Sequence, residues 1–521
     1  MSNNLLAILF ITFSSYSLSQ SIFQNNINNI DVIKYHLVLD IDFNDRSINA
    51  ENKITVVKSN SFISNITLDF NGNFSIDEVK SGMEKLSYLI NEKKIEIDIS
   101  SLRTDTIDIT ISYRGKPMKL GFNGLIFAET KNQKIVQTIN QPTFASTWFP
   151  CNDNPSDKAL LEIEIINDSD FVSISNGKLI DVCSLNKRKK YHYKTFYPIS
   201  THLIGFYSSN YSEISDNYRN INDKDLKLNY FIFKEDVEKA KVDLENTKNI
   251  LKTFENLFGE YPFIEEKYSV SEILLFRSAI ENQTLVGISK DFFTGKKFHQ
   301  DIFIHEAAHS WWGNAVGVSS WKDVWLSEAF ATYSEALYNE FNFGKTALNS
   351  HLNKFLLEDI SGRLYNPENL FSKSIYFKGA WVLNMIRNIL SDSVFFRMLK
   401  DFYHQFRYKT ISTTDFKNFL ENYSGKNFTK FFDDWIFFDN GIISCEYSFD
   451  NDSKYLTLIQ KNHTFEFYLE MKIIYEDNSS ETICSFIDKK ENRIFFNSEK
   501  KIKTIVFDPF MKLLAKFEQS N

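Results

Sequence analysis

The sequence predicts a multidomain α+β protein, and three changes in its hydrophobic pattern support this fold class. Alternation of apolar and polar residues with a period of two dominates the first part of the chain. Apolar residues at helical spacing dominate the middle part. Short alternating runs return after Gly441. We therefore expect an N-terminal antiparallel β domain over residues 31–211, an α/β domain over 212–440 and a small C-terminal β-sandwich over 441–517.

The composition fits several globular domains and argues against some classes of function. With 521 residues, 43% of them hydrophobic and 24% charged, the chain is long enough for a few domains. Its formal net charge of −8 gives no basic footprint for a nucleic acid. The four cysteines include no Cys-x-x-Cys pair, which argues against a thiolate zinc site. Cys445 and Cys484 are candidates for a disulfide in an oxidising compartment, and the sequence leaves this open.

The N-terminus has the pattern of an export signal. The apolar run Leu5–Tyr16 is too short to span a bilayer comfortably, and small residues precede Gln20. We expect cleavage after Ser19, so that residues 1–19 form a signal peptide, although no Lys or Arg precedes the run. The mature chain would then be secreted or periplasmic, without an integral membrane segment. A retained anchor or a buried strand is the alternative.

Short segments predict the elements of the first two regions. Tyr35–Phe43 and Ile95–Ile99 alternate as strands do, and we expect the aromatic-rich segment 141–153 to leave the sheet as a structured loop. Helical spacing from Ala240 to Phe258 predicts one helix that ends at the following glycine. Two apolar runs, Tyr268–Phe276 and Thr284–Ile288, then predict a strand pair, whose edge could hold an extended peptide by strand addition.

The segment that follows these strands carries the strongest chemical pattern. His305 and His309 are four residues apart, so both imidazoles lie on one face of a helix and can reach a single metal ion, with Glu306 beside it. A catalytic zinc site needs a third protein ligand and one open position. Glu328, near the start of a second helical pattern, can supply that ligand. A surface helix with two unrelated histidines is the alternative, and the apolar flanks argue against it.

Several motifs together resemble the M1 family of gluzincin aminopeptidases, of the aminopeptidase N type. The zinc motif has the family's spacing to Glu328, and Ser278–Asn282 is similar to its Gly-x-Met-Glu-Asn exopeptidase motif. Tyr376–Ala380 is similar to its Tyr-x-Lys-Gly motif. Two segments of the β region, 148–155 and 157–159, resemble its N-terminal-domain signature. The resemblance covers roughly residues 31–515, without the large helical C-terminal domain common in the family.

This resemblance implies a fold and a set of roles. The central domain would be a thermolysin-like α/β catalytic domain holding one Zn²⁺ through His305, His309 and Glu328, while Glu306 serves as general base. Tyr376 would donate a hydrogen bond to the oxyanion. The remaining implied positions are four substrate-binding residues, Glu281, Gln141, Ala279 and Asn282, and Glu335 as a hydrogen-bond acceptor behind the metal ligands.

Three residues depart from the family pattern. Ser278 replaces the family's glycine and Ile280 its methionine, so we expect a restricted or reshaped first specificity pocket. Gln141 stands where many members have glutamate, and an uncharged amide would bind the substrate amine more weakly. Without the resemblance, Tyr376 would be interpreted as a half-buried structural tyrosine, and Glu281 as a turn residue.

The sequence thus predicts a zinc-dependent aminopeptidase acting on peptides with free N-termini, in an oligomeric state that the sequence does not specify. Two alternatives belong to other classes: a thermolysin-like endopeptidase, and a non-catalytic relative that binds peptides as a scaffold. A dual hydrolase acting on lipid epoxides is a remote third. We also expect Asn314 to cap or end the metal helix.

Overall fold

The computed structural model describes residues 30–520 except 61, 72, 119, 359 and 451–453. The expected signal peptide therefore lies outside the described residues. Two compact units divide the described part of the chain. The first comprises the residues up to Trp321 together with Phe402–Ser412, and the second comprises Lys322–Asp401 and the residues from Thr413 onward.

Strands dominate the N-terminal part of the first unit. Their bounds are β1 Ile30–Asp42, β2 Ser47–Lys58, β3 Asn65–Asp69, β4 Asn73–Ser81, β5 Glu84–Lys85, β6 Tyr88–Asn91, β7 Lys94–Asp98, β8 Thr106–Lys116, β9 Gly124–Glu129, β10 Lys134–Ile139, β11 Lys158–Asp168, β12 Val172–Ser175, β13 Lys178–Leu185, β14 Arg188–Lys194, β15 Ile199–Ser200 and β16 Phe206–Ser209. The main sheet has the order β13-β14-β11-β1-β2-β8-β4-β5, and smaller sheets have the orders β12-β16-β10-β9 and β3-β7-β6.

The alternation seen in the sequence decides which face of this sheet is buried. Along β1 and β11, inward residues such as Leu37, Leu39, Ile163 and Ile165 are fully buried, and their chain neighbours are partly exposed. The sequence had suggested a purely antiparallel sheet, and this was wrong in one place, since β1 and β11 pair in parallel. The long stretch of chain between β1 and β11 makes such a crossover possible.

A second, mixed sheet with flanking helices follows in the first unit. The elements of this region are β17 Tyr211–Arg219, β18 Asp225–Phe233, α1 Val237–Leu244, α2 Thr247–Phe258, β19 Tyr268–Ile273, β20 Ala279–Ile280, β21 Leu285–Ser289, α3 Gln300–Ala308 and, outside this sheet, β22 Val316–Val318. The strand order is β17-β18-β19-β21-β20, so β20 lies at an edge. The single helix predicted to end at Gly259 is two helices, α1 and α2, although the predicted end is correct and Gly259 has φ 115°.

Helices fill the next part of the chain. Their bounds are α4 Trp325–Phe343, α5 Lys345–Phe355, a π-helical segment Ser374–Lys378, α6 Gly379–Leu390, α7 Asp392–Phe406, α8 Thr413–Ser424, α9 Thr429–Phe432 and a second π-helical segment Asp433–Phe437, with the short strand β23 Lys409–Ile411 pairing with β22. None of the helices among the described residues is both long and apolar enough to cross a membrane.

Two small sheets end the described chain. Their strands are β24 Ile443–Asp450, β25 Tyr455–Gln460, β26 Phe467–Tyr475, β27 Ser480–Ile487, β28 Glu491–Phe495, β29 Ile502–Phe507 and β30 Ala515–Gln519, in the orders β28-β25-β24-β30 and β27-β26-β29. Cys445 is buried on β24 and Cys484 is exposed on β27, and both are free thiols. The domain boundaries drawn from the sequence stay predictions.

Candidate active site

Helix α3 presents the paired histidines. Its inward residues Phe303, Ile304 and Ala307 are buried, which fixes the orientation of the helix. The Nε2 atoms of His305 and His309 lie 3.1 Å apart. Two nitrogens each about 2.0–2.1 Å from one zinc ion in tetrahedral geometry lie at a similar separation, so this donor pair fits the metal.

A second contact fixes the protonation of one of these rings. Nδ1 of His309 lies 3.0 Å from the carbonyl oxygen of Trp312, which can only accept a hydrogen bond. Nδ1 therefore carries the proton, and Nε2 of His309, which faces Nε2 of His305, carries the lone pair that a metal ion would use. The fold thus prepares the histidine as a ligand through a backbone group that the sequence pattern did not indicate.

Two carboxylates lie close to His309. Donor atoms of Glu281, Glu306 and His309 all lie within 4.8 Å of one another, and all three side chains are buried. Glu306 belongs to α3 itself, whereas Glu281 directly follows the edge strand β20. The first unit therefore brings together the general base and the amine anchor that the resemblance implied, next to one imidazole.

Glu281 is held by partners from distant parts of the chain. The Nε2 group of Gln141 donates a hydrogen bond of 2.7 Å to its Oε1, and Nδ2 of Asn314 donates one of 2.9 Å to its backbone oxygen. An amide at position 141 gives Glu281 a donor where glutamate would bring a second negative charge. Helix α3 ends at Ala308, and the backbone amide of Asn314 donates a hydrogen bond to the carbonyl of the next residue, His309, while the side chain of Asn314 reaches Glu281.

Asn282 is fixed by a tyrosine that the sequence did not single out. Its Nδ2 group donates a hydrogen bond of 2.8 Å to the hydroxyl of Tyr207, which is fully buried and whose pKa burial raises far above its usual range. A side chain at Gly287 would have its Cβ only 2.4 Å from that hydroxyl. Nothing in the sequence pattern marked Tyr207 as part of the site.

The departures from the exopeptidase motif have a limited effect on the backbone. Ala279 and Ile280 form β20 and pair antiparallel with Ile288 and Gly287. The left-handed conformation in this stretch falls on Arg277, with φ 43°, and not on Ser278. The residue that replaces the family's glycine therefore needs no backbone conformation that serine disfavours.

The second unit carries the remaining predicted residues, beginning with Glu328. Glu328 is buried in the first turn of α4, and Glu335 lies about two turns further along the same helix. Oε2 of Glu335 is 3.1 Å from Nε2 of the buried His351 on α5. Thus Glu335 has a histidine partner that the sequence reasoning did not name.

Tyr376 lies in the π-helical segment that leads into α6, and π-helical turns often occur at functional sites. It is half-buried. The neighbouring Lys378 is fully buried, donates a hydrogen bond of 2.8 Å to the carbonyl oxygen of Gly362, and has its pKa lowered to about 8 by burial. A Cβ on Gly379 would lie 2.4 Å from Cβ of Ala329, so glycine allows this segment to approach α4 beside Glu328.

Paired histidines at the end of a buried helix, with a buried carboxylate from a sheet edge beside them, are typical of a metallopeptidase site. Comparison with family models agrees, since residues 32–203 match the peptidase M1 N-terminal domain and residues 242–435 match the peptidase family M1 domain. The two ranges together cover more than half of the chain. The chain belongs to peptidase family M1, a family of zinc metallopeptidases.

Individual relatives are distant. Probable aminopeptidase 2 of Sulfurisphaera tokodaii is 25% identical over 509 residues, which cover 91% of this chain and 62% of the relative. The chain spans less than two thirds of the length of this and other curated aminopeptidases that it matches.

Solved structures share the fold at low identity. An M1 zinc metallopeptidase of Deinococcus radiodurans, a variant with bound Tyr-Ser-Ala substrate, has a TM-score of 0.69 and 22% identity, covering 76% of this chain and 92% of the other. Aminopeptidase A of Legionella pneumophila in complex with aspartic acid has a TM-score of 0.81 and 18% identity, covering 95% of this chain and 60% of the other. These likenesses support the M1 fold.

Proposed function

We propose that this protein is a zinc-dependent aminopeptidase that removes N-terminal residues from peptides. One observation carries the proposal: Glu281 lies within 4.8 Å of both Glu306 and His309. A buried carboxylate that binds the α-ammonium group would fix the substrate N-terminus about one residue from the reacting carbonyl. An endopeptidase needs open space at that position.

In this proposal, one Zn²⁺ is held by His305, His309 and Glu328. The spacing of the two Nε2 atoms, the proton on Nδ1 of His309 and the buried carboxylate of Glu328 support it, and the three residues are a ligand set suited to zinc. Zinc so bound supplies Lewis acidity that polarises the scissile carbonyl and activates water at neutral pH.

The side chains of the chain then carry out the proton transfers. Glu306 accepts the proton of the attacking water and delivers it to the amine that leaves, a role its burial beside His309 supports. Tyr376 donates a hydrogen bond to the oxyanion, and the anchored Lys378 and the close approach at Gly379 would hold it in place.

The substrate N-terminus is bound by residues of the first unit. Glu281 binds the α-ammonium group, and Gln141, whose Nε2 is engaged with Glu281, offers its amide oxygen as a second acceptor. The backbone of Ala279 at the sheet edge can pair with the substrate backbone, and Asn282 keeps the turn after β20 in place. Ser278 and Ile280 would shape the pocket for the first side chain.

The test compares aminoacyl fluorophores with matched N-acetylated peptides, with and without a chelator. We expect release from free amines that the chelator abolishes. Glu306→Gln should lower kcat by about 10²–10⁴-fold while the zinc content stays unchanged. Cleavage of acetylated peptides would instead favour an endopeptidase. If the zinc-loaded protein cleaves neither set of substrates, a peptide-binding scaffold is favoured.

We further propose that the chain is exported through its N-terminal segment and cleaved after Ser19. The apolar run Leu5–Tyr16 and the small residues that follow it support this. N-terminal sequencing of the protein recovered from the culture medium or the periplasm tests it. A mature protein that still begins at Met1 contradicts it.

A further inference from the structure

The segment that follows the metal helix is wound tightly against the helix end. We call Trp312–Ala315 the post-helix loop. Its Trp312 carbonyl accepts the hydrogen bond from Nδ1 of His309, and the amide of Asn314 donates one of 3.1 Å to the carbonyl of His309. The amide of Ala315 donates one of 3.2 Å to the carbonyl of Ser310. A displacement of this loop therefore displaces the ring of His309.

A lysine from the N-terminal sheet reaches into the same loop. Lys158 begins β11, and its Nζ donates hydrogen bonds to the carbonyl oxygens of Asn314 at 2.6 Å and Ala315 at 3.4 Å. Lys158 as a whole is half-buried, and desolvation of its ammonium group lowers its pKa to about 7. At Gly317 a Cβ would lie 3.0 Å from Cε of Lys158, so the lysine passes where the chain carries no side chain.

The same loop holds the amine anchor. Nδ2 of Asn314 donates its hydrogen bond to the backbone oxygen of Glu281. Asn314 therefore binds His309 through its amide, Lys158 through its carbonyl and Glu281 through its side chain. One residue joins a metal ligand, an anchor for the substrate amine and a cation from a distant strand.

We propose that Lys158 is a positioning residue that acts through Asn314 to fix Glu281 relative to His309, and so sets where the substrate α-amine binds. This inference rests on the proposed aminopeptidase function. A buried ammonium whose hydrogen bonds go to neutral carbonyls is a costly way to stabilise a fold. It does, however, hold two adjacent carbonyls in one orientation, which is what a fixed distance between anchor and metal ligand requires.

The variants are Lys158→Met, which keeps the length of the side chain and removes its charge and donors, and Asn314→Ala, which removes the link to Glu281. Lys58→Met is the matched control. Lys58 is a buried lysine of the same sheet, and it too donates to a backbone carbonyl, that of Leu102 at 3.1 Å. The control reports the general cost of removing a buried lysine from this sheet.

The first measurement compares two hydroxamates in the zinc-loaded protein. Leucine hydroxamate has an α-amine and a metal-binding group, whereas acetohydroxamate has the metal-binding group alone. We expect Kd for leucine hydroxamate to rise about tenfold in Lys158→Met and in Asn314→Ala, with Kd for acetohydroxamate and the zinc content unchanged. Lys58→Met should bind both as the wild type does. Equal weakening of both ligands, or no weakening, would overturn the inference.

The double variant tests whether the two residues act through one connection. If Lys158 acts through Asn314, the double variant binds leucine hydroxamate about tenfold more weakly than the wild type, as each single variant does. Independent effects would multiply to about a hundredfold and would contradict the inference.

Hydrogen exchange separates this inference from the proposed function, because it needs no substrate. We expect faster amide exchange over residues 279–283 and 312–316 in Lys158→Met and Asn314→Ala than in the wild type and Lys58→Met. Unchanged exchange there overturns the positioning role even in an active aminopeptidase. Faster exchange in a protein that cleaves no free-amine substrate would leave the positioning role standing and refute the proposed function.

Discussion

Two strands of the first unit show how differently a β-strand can be buried. In β11 of the N-terminal sheet, buried residues alternate with partly exposed ones along the whole strand. In β19 of the five-stranded sheet, all residues from Tyr268 to Ile273 are buried, including two serines and Glu272. The first strand has one face toward the core, whereas the second pairs in parallel with both of its neighbours.

The two kinds of strand therefore differ in whether a substitution acts mainly on stability or on the chemistry of a site. In a strand with one buried face, the apolar residues point inward and polar residues remain at the surface, so substitutions act mainly through packing. In a strand buried on both faces, any polar side chain must find a partner, and such residues are where pKa values shift and function resides. Glu281 directly follows β20, the edge strand of this second sheet.

The largest expected effect lies in the packing of the N-terminal sheet. Ile163→Ala should reduce the free energy of unfolding by about 2–5 kcal/mol, because Ile163 is fully buried between β1 and β14. Thermal unfolding measures the loss, and Ile163→Val, at about 0.5–1.5 kcal/mol, is the graded control. Below the unfolding transition kcat/KM should stay at the wild-type value. A loss of activity there would contradict the view that substitutions in this sheet act only through packing.

At the edge of the second sheet we expect a substitution to change activity more than stability. Glu281→Gln should raise the activation free energy for free-amine substrates by about 1.5–3 kcal/mol, because the charge-assisted bond to the α-ammonium is lost. Steady-state kinetics measure kcat/KM, and thermal unfolding should change little. Glu238→Gln, at an exposed site in α1, serves as a control. An unchanged kcat/KM would show that Glu281 does not bind the substrate α-ammonium group.

Within β19, the carboxyl of Glu272 gives a pH-dependent prediction. Burial, and then the neighbouring Asp236, raises its pKa from 4.5 to about 9, so the folded state holds the proton that the unfolded state releases. The stabilisation by the protonated group is complete below about pH 4.5 and is lost as the pH rises toward 9.

Glu272→Gln replaces the protonated acid with a neutral amide of the same shape. We expect it to stabilise the fold by about 1–3 kcal/mol near pH 8 and to have little effect near pH 4, measured as thermal midpoints across that range. Glu255→Gln is the contrasting variant, since Glu255 is buried but accepts three hydrogen bonds, and it should destabilise at both pH values. A variant of Glu272 that destabilises near pH 8 would show that the carboxyl is ionised there.

The smallest effect is expected on the outer edge of the N-terminal sheet. Val182 on β13 is 43% exposed, and Val182→Thr keeps the β-branched shape. The free energy of unfolding should change by less than about 0.5 kcal/mol, measured by thermal unfolding. A loss above about 1 kcal/mol would mean that another surface covers this edge.

Several features of the fold and site could be predicted because they depend on residues close together in the chain. The period-two alternation gave the buried face of β1, and the four-residue spacing of His305 and His309 gave their shared helix face. The glycine after α2 gave the helix end. By contrast, the sequence did not predict the division into α1 and α2, because a local break in a helix leaves the spacing of apolar residues unchanged. It also did not predict the parallel pairing of β1 with β11, because apolar spacing is the same in parallel and antiparallel strands.

The sequence by itself determined that His305 and His309 share one face of α3, that Glu306 lies between them, and which motifs place the chain among M1 peptidases, because each is read within a few consecutive residues. Only the tertiary structure decided what holds these residues in place. Gln141 meets Glu281, and Lys158 meets Asn314, across more than a hundred residues of chain. Such contacts arise from how sheets and helices pack, and a single sequence contains no spacing that reveals them.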